Sequence, residues 1–238
     1  MEKIGIIGAM ETEIKLLLEN MKNAGGNVKE TAAGSLTFYE GKLKGKDVVV
    51  VRSGVGKVNA ALCAQRLALQ FGVDAVINTG IAGAMGSGLK IFDMVVSTDA
   101  VYHDVDATTW GYKPTEIPQM QSSCFKADEK LVQAALKAFE KVNAGTGKKI
   151  VAGRVASGDQ FVGDKKLKEH IKEVCAPACV EMEGAAIAHA CYLNKVPFLI
   201  MRCMSDMADE VAESAYSFNE DEAAEESAKV MLELLGNI

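Results

Sequence analysis

The sequence of this 238-residue chain is poor in the features that mark membrane, nucleic-acid-binding and disulfide-bonded proteins. No apolar run approaches the ~20 residues that a membrane-spanning helix needs. The formal net charge of −6 argues against nucleic acid or an anionic membrane as the main partner. The six cysteines form no CxxC pair, which favours buried reduced thiols over a disulfide framework or a metal site. Without a signal-peptide pattern at the start, we expect a cytoplasmic globular protein.

Two familiar nucleotide-binding motifs are also missing. The segment SGVGKVNAA (residues 53–61) lacks the P-loop spacing, and Val58 stands where a P-loop supplies a metal-binding hydroxyl. The segment GIIGAM (residues 5–10) lacks the glycine spacing of a dinucleotide-binding oxidoreductase. Together with NTGIAGAMGSG (residues 78–88), however, three glycine-rich segments each follow a strand-like run. We predict three turns around one crevice at the carboxyl ends of the strands, where open α/β sheets bind ligands.

Apolar runs alternate with helical patterns, which predicts an α/β fold with a largely parallel sheet in a single domain over residues 1–238. Predicted strands cover residues 3–8, 47–53, 74–79, 94–98, 150–156, 178–182 and 197–204. A first helix carries an apolar stripe at Ile14, Leu17, Leu18 and Met21, and further helices are predicted over residues 57–71, 127–141, 164–174, 184–193 and 219–235. The last of these has a capping-box-like start, with Asn219 followed by Glu222.

Two carboxylates stand at the head of the first helix, where free backbone N–H groups and the helix dipole normally favour a bound anion. Glu11 has Lys15 four residues on, the spacing of an ordinary solvated pair. Glu13 has Leu16 and Leu17 at i+3 and i+4, at the edge of the apolar stripe. We therefore expect Glu13 to point inward, with a plain first-turn acid that complements the dipole as the alternative.

Polar residues also interrupt two later apolar segments. Glu181 and Glu183 precede an almost wholly apolar helix and mark either a polar ligand or a structural cap. Arg202 lies within an apolar strand and needs an inward-facing acid as partner. That strand ends near Asp206, which is a candidate acid or a turn residue, whereas His189 inside its helix reads as a core histidine.

Residues 101–125 have little periodicity and carry the only tryptophan, Trp110, with two of the four prolines. A loop of this length in a compact domain is usually functional or an interface. We expect it to cover a flat ligand or a partner subunit, with an ordered surface excursion as the alternative.

Seven of these segments together resemble one family, the bacterial 5′-methylthioadenosine/S-adenosylhomocysteine nucleosidases of the purine nucleoside phosphorylase-like superfamily. The segments are GIIGAMETEI, SGVGKVNAA, NTGIAGA, YHDVDAT, SGDQFV, VEMEGAAIAHAC and RCMSDMAD, and the resemblance runs from about residue 3 to residue 235. It implies a three-layer fold whose mixed, mostly parallel twisted sheet closes partly into a barrel flanked by helices. It also implies a cytosolic homodimer that acts in methionine salvage without a cofactor or metal.

The resemblance further implies roles for individual residues. Glu13 would activate water, Asp206 would protonate the adenine, and Arg202 would orient the water. The residues implied to contact the nucleoside are Met10, Val55, Ile81, Phe161, Val162, Met182, Glu183, Ser205 and Phe218, joined by Trp110 and Pro118 from the 101–125 loop of the partner subunit. The sequence departs from common family patterns at Ile81, which some members replace by serine, at Trp110, commonly phenylalanine, and in one extra residue before Phe218.

The implied reaction is hydrolysis of the N-ribosidic bond of methylthioadenosine, adenosylhomocysteine and 5′-deoxyadenosine. It follows the two-carboxyl logic of inverting glycosidases, with an acid on the leaving group and a base on water. Asp206 must then carry a proton, and Glu13 must be ionised, a state that Arg202 is expected to favour. The alternatives are a futalosine or aminofutalosine hydrolase or a purine nucleoside phosphorylase of the same fold, and a non-catalytic nucleoside sensor.

Overall fold

The structure is a computed structural model that describes residues 1–24, 27–209 and 213–238, without the side chains of residues 213–218. Strands and helices alternate along the chain. The strands are β1 (Lys3–Gly8), β2 (Lys29–Ala33), β3 (Leu36–Leu43), β4 (Lys46–Arg52), β5 (Ala75–Ala84), β6 (Met94–Tyr102), β7 (Phe125–Lys126), β8 (Ile150–Ser157), β9 (Cys179–Glu181) and β10 (Phe198–Asp206). The helices are α1 (Glu11–Asn23), α2 (Lys57–Leu69), α3 (Glu129–Val142), α4 (Lys165–Cys175), α5 (Gly184–Asn194) and α6 (Glu213–Leu235).

All ten strands belong to one mixed sheet that closes on itself at one end. β10 pairs with both β5 and β6, and the path β5–β9–β8–β6 joins the same two strands, so five strands form a ring. On the open side the sheet continues through β1, β4, β3 and β2, with parallel pairing from β5 to β4 and antiparallel pairing beyond. The α/β class and the partly closed barrel are confirmed.

Helices cover both faces of this sheet and bury two large apolar layers, and a third, smaller apolar cluster includes residues of α4. One layer contains the side chains of α1, α3 and α6, and the other those of α2 and α5. The predicted stripe of α1 is buried at Ile14, Leu17, Leu18 and Met21, because these positions recur on one side of a 3.6-residue helix. Every residue of β5 and of β10 is buried, as expected for strands covered on both faces.

Several predicted boundaries were wrong. The strands β2, β3 and β7 were not predicted, and β5 and β6 run five and four residues beyond the predicted ends at 79 and 98. The expected third glycine-rich turn is therefore strand, because β5 includes Gly80 and Gly83. α6 begins at Glu213, not at Asn219, whose side-chain amide donates instead to the Ser205 carbonyl at 3.1 Å.

The glycines of β5 leave room for side chains that reach the sheet from elsewhere. A Cβ added at Gly80 would collide with the Glu13 carboxylate and would stand 2.7 Å from Nη1 of Arg202. A Cβ at Gly83 would lie 2.8 Å from Oδ1 of Asp206. Strand β5 thus approaches three charged side chains closely only because it lacks side chains there.

In the described part of the chain, none of the helices combines the length and apolar character that crossing a bilayer requires.

We predict that Gly80→Ala destabilises the protein by ~1–3 kcal/mol, the usual cost of an overpacked site, because the added methyl must displace buried charged groups. Urea unfolding followed by circular dichroism measures the change. Gly236→Ala is the matched control, since its new Cβ meets nothing closer than 3.4 Å. Equal midpoints for Gly80→Ala and the unaltered protein would contradict the packing argument.

Candidate active site

A cavity of about 550 Å³, counting the solvent at its mouth, opens at the carboxyl ends of β1, β5, β9 and β10. Residues from these strand ends, and from the loops that follow them and the strands β4 and β8, form its wall. The lining residues are Ala9, Met10, Glu13, Val55, Ile81, Ala82, Gly83, Gln160, Phe161, Val162, Val180, Glu181, Met182, Glu183, Ser205 and Asp206. The crevice predicted at the carboxyl ends of the strands is therefore present, and carboxylates stand out among its polar groups.

Glu13 folds back onto the start of its own helix. Its Oε2 accepts the backbone N–H groups of Ala9 at 2.5 Å and Met10 at 3.0 Å, and its Oε1 accepts the N–H of Ile81 at 3.0 Å. The side chain is buried, as its place at the edge of the apolar stripe predicts, whereas Glu11 is exposed. Glu13 therefore takes the two N–H groups that immediately precede α1 and places its own carboxylate at the head of this helix.

Glu183 makes the equivalent contact at the head of α2. Gly56 has a φ of +99°, a conformation that favours glycine, and its N–H donates to Oε1 of Glu183 at 2.8 Å. The next N–H, that of Lys57, donates to Oδ1 of Asp159 at 2.8 Å. A second helix start at the cavity is therefore occupied by carboxylates of the chain itself.

Arg202 lies beneath the cavity and is 1% exposed. Its Nη2 donates to Oε2 of Glu181 and, at 2.6 Å, to Oδ1 of Asn78, and it is 3.7 Å from Oε2 of Glu183. Its Nε and Nη1 have no hydrogen-bond partner among the described residues. Arg202 therefore pairs directly with Glu181 and acts on Glu13 only through its charge.

Asp206 is buried at the end of β10, and both of its oxygens are engaged. Oδ1 accepts the Ala208 N–H at 2.8 Å, and Oδ2 lies 2.9 Å from the Ser205 hydroxyl. The same hydroxyl lies 3.4 Å from the Ala82 carbonyl. The carboxyl is thus held in one orientation by one group that only donates and one that can donate or accept.

The structure brings most of the predicted site residues to this one cavity. Those that line it are Met10, Glu13, Val55, Ile81, Phe161, Val162, Met182, Glu183, Ser205 and Asp206. Arg202 lies behind the wall, and Trp110 and Pro118 do not line the cavity of their own chain, with Trp110 79% exposed. The side chain of Phe218 lies outside the described residues. His189 does not line the cavity either; it stacks on Phe125 and shares a hydrogen bond with Tyr102.

Sequence reasoning left the role of Glu181 open between ligand and cap. Its Oε2 accepts the N–H groups of Glu183 at 3.0 Å and Gly184 at 2.7 Å, and its Oε1 accepts the Ser157 hydroxyl. Glu181 is therefore both the cap of α5 and the ion-pair partner of Arg202. The buried arginine signalled that an acid was needed, but several inward acids were equally available in the sequence.

Burial is the largest influence on the pKa values of Glu13 and Glu183. Desolvation raises the pKa of Glu13 above its ordinary value, although the Arg202 charge and the three backbone N–H groups act in the opposite direction. Desolvation and the nearby Glu181 charge raise the pKa of Glu183 to about 8. The Arg202 charge thus lowers the pKa of Glu13 as expected, but this effect is smaller than the increase caused by burial.

Among the described residues, no group of three or more histidine, cysteine, aspartate or glutamate side chains is arranged to hold a metal ion. The clustered carboxylates are instead satisfied by N–H groups, a hydroxyl and a guanidinium.

Comparison with known proteins agrees with this architecture. Residues 3–236 match the family model described as the phosphorylase superfamily. The 5′-methylthioadenosine/S-adenosylhomocysteine nucleosidase of Colwellia psychrerythraea is 42% identical over 99% of this chain and 96% of its own length. The nucleosidase of the same name from Neisseria meningitidis, solved with methylthio-immucillin-A, superposes with a TM-score of 0.93 at 39% identity over the whole of both chains. A futalosine hydrolase of Helicobacter pylori also superposes, with a TM-score of 0.90 at 33% identity over 100% of this chain and 98% of that one.

We predict that the unliganded protein loses stability as pH rises from 5 to 8, because the folded state holds the Glu183 proton through a pH range in which the unfolded chain releases it. Well below its ordinary pKa of 4.5, Glu183 is protonated in both states and its raised pKa costs no stability, and at pH 5 the cost is still small. Each unit of raised pKa is worth ~1.4 kcal/mol at full effect. Glu183→Gln, which removes this ionisation, should flatten the decline and raise Tm at pH 8 but not at pH 5.

Thermal unfolding at both pH values checks this expectation, with Glu173→Gln on the exposed side of α4 as the matched control. Parallel Tm profiles for Glu183→Gln and the unaltered chain would show that Glu183 does not carry the pH dependence.

Proposed function

Because this chain belongs to the 5′-methylthioadenosine/S-adenosylhomocysteine nucleosidases of the phosphorylase superfamily, we propose its function from the chemistry of its cavity. It hydrolyses the N-ribosidic bond of 5′-methylthioadenosine and S-adenosylhomocysteine and releases adenine. This confirms the family and the reaction that the sequence motifs imply. We further propose roles for individual residues, a partner subunit and a cytoplasmic location.

The main support for hydrolysis is that carboxylates of the chain occupy the helix starts where a phosphate would bind. Glu13 takes the N–H groups at the head of α1, and Glu183 and Asp159 take those at the head of α2. An inorganic phosphate would have to displace these contacts and enter a partly desolvated cavity whose polar wall consists largely of acidic groups. Water is uncharged and meets no such barrier, so the site favours hydrolysis over phosphorolysis.

Glu13 is the proposed base. Cleavage of the N-ribosidic bond develops positive charge on the sugar, and a carboxylate beside the attacking water both accepts its proton and stabilises that charge. The unpartnered Nη1 of Arg202 lies on the same side of β5 as Glu13, since a Cβ on Gly80 would meet both groups. We assign Arg202 the orientation of the attacking water.

Asp206 is the proposed acid that protonates the departing adenine. Its Oδ1 faces the Ala208 N–H, which can only donate, so we place the acidic proton on Oδ2. The Ser205 hydroxyl beside Oδ2 can accept that proton in a hydrogen bond before transfer. After transfer the hydroxyl can rotate and donate to the carboxylate, which satisfies both protonation states with one side chain.

The remaining lining residues define a place for each part of the nucleoside. Glu183 is proposed to bind the ribose hydroxyls with Met182 beneath the sugar, and Phe161 and Val162 to receive the purine. Met10, Val55, Ile81 and Phe218 are assigned to the sugar and its 5′ substituent. Except for Phe218, these side chains line the same cavity.

A second copy of the chain is the proposed partner. Val58, Leu62 and Leu69 project from α2, Leu193 projects from α5, and all are more than half exposed. The two helices pack against each other, and exposed apolar side chains on neighbouring elements are typical of an interface. Trp110 and Pro118, which do not line the cavity of their own chain, are proposed to reach the 5′-thio end of the partner's site.

One product analysis distinguishes the proposed hydrolysis from phosphorolysis and from hydrolysis of aminofutalosine. We expect adenine release from methylthioadenosine and adenosylhomocysteine, with 5′-deoxyadenosine also accepted and aminofutalosine a poorer substrate. Added phosphate should leave the rate unchanged, because the helix starts are occupied, and the sugar product should be free of phosphate. Chromatography of the products with and without phosphate measures this. A ribosyl 1-phosphate product would assign the chain to the phosphorylases, and aminofutalosine as the preferred substrate would assign it to the futalosine hydrolases.

We predict that Glu13→Gln and Asp206→Asn each lower kcat for methylthioadenosine by at least ~100-fold, the usual scale of general acid–base catalysis. Both variants keep the size of the side chain, so circular dichroism should show an intact fold. Glu11→Gln is the matched control, because Glu11 is exposed on the same helix turn. Adenine release near the unaltered rate in either variant would refute the role given to that residue.

A further inference from the structure

The turn that follows β10 holds Asp206 through a single peptide group. The N–H of Ala208 donates to Oδ1 of Asp206 at 2.8 Å, and the carbonyl of the same peptide belongs to Met207. A peptide group is planar, so the direction of its carbonyl fixes the direction of its N–H. Whatever anchors the Met207 carbonyl therefore also aims the donor that orients the carboxyl of Asp206.

This peptide is not held in place by favourable backbone geometry. Ala208 has a φ of +50°, in the left-handed region that alanine rarely adopts, and it is fully buried. Rotation of the Met207–Ala208 peptide would relieve that conformation and turn the N–H away from Asp206. A contact from outside the turn is required to keep it.

Lys168 of α4 supplies that contact. Its side chain is buried, which is unusual for lysine, and its Nζ donates to the Met207 carbonyl. The same Nζ forms an ion pair with Oδ2 of Asp209 at 3.1 Å. Lys168 thus contacts the turn at Met207 and at Asp209, on both sides of Ala208.

We propose that Lys168 is a positioning residue for the acid Asp206, acting through the Met207–Ala208 peptide. This inference rests on the proposed function of Asp206. By binding the carbonyl, the ammonium group fixes the peptide plane and polarises its N–H, which strengthens the hydrogen bond to Oδ1. With Oδ1 engaged in this way, the transferable proton stays on Oδ2.

A positioning role and a purely structural role make different predictions about the leaving group. Adenine needs a proton to depart, whereas 4-nitrophenolate departs without one, so hydrolysis of 4-nitrophenyl 5-methylthioriboside does not need the acid. Loss of Lys168 should therefore impair adenine release selectively. A general weakening of the fold would impair both reactions alike.

The test compares Lys168→Met and Lys168→Arg on methylthioadenosine and on the nitrophenyl glycoside. For Lys168→Met we expect kcat on methylthioadenosine to fall by about 10- to 100-fold, the cost of a misplaced catalytic group, with KM within about threefold. The rate on the nitrophenyl glycoside should stay within about threefold, as it should for Asp206→Asn. Lys168→Arg, which keeps a donor and a positive charge, should recover most of the loss.

Lys172→Met is the matched control, because Lys172 is on the same helix and pairs only with Glu169 at the surface among the described contacts. It should behave as the unaltered protein on both substrates. The proposal would be overturned by equal losses on the two substrates or by no loss on either. It would also be overturned by a rise in KM without a change in kcat, or if Lys168→Arg did not recover activity. Failure of the proposed function is distinguishable, because the unaltered protein would then release no adenine from methylthioadenosine. If the unaltered protein does not cleave the nitrophenyl glycoside, the kcat-against-KM split and the arginine variant decide the outcome.

Discussion

The buried ion pair between Arg202 and Glu181 is the interaction on which the rest of the cavity depends. Three carboxylates, those of Glu13, Glu181 and Glu183, face one guanidinium in a region with little access to water. Because Glu181 takes the direct contact, the other two acids remain available at the cavity wall. Removal of either partner would leave an uncompensated buried charge, which is far more costly than loss of a surface ion pair.

A second constraint organises the same region. Three helices begin at the cavity, and a carboxylate of the chain caps each: Glu13 at α1, Glu183 at α2 and Glu181 at α5. Helix starts attract negative charge, and here the attraction is satisfied internally. The acids are therefore fixed by rigid backbone donors instead of by mobile side chains, and the positive ends of the helices offset part of the cost of burying them. Catalytic placement and exclusion of external anions come from the same contacts.

Much of this could be predicted from sequence, and the failures have physical causes. Continuous apolar runs located most strands, and the 3.6-residue stripe of α1 correctly turned Glu13 inward. The hairpin of β2 and β3 was missed because both strands have mixed burial and therefore lack such runs. Gly80 and Gly83 were assigned to a turn, although glycine is needed there because side chains from α1 and β10 approach β5 closely. The pairing of Arg202 with Glu181 is set by tertiary packing and has no local signal.

The layout of the sheet also bears on how the chain avoids unwanted self-association. Closure of the barrel pairs β5 and β10 on both sides, so the strands that carry the site offer no free backbone edge. The long path of the sheet ends at β2, whose outward positions include the exposed Lys29 and Glu30. Charged side chains on a terminal strand discourage another chain from adding to it. Among the described residues, the free edge at β2 is therefore better suited to hydration than to pairing with another polypeptide.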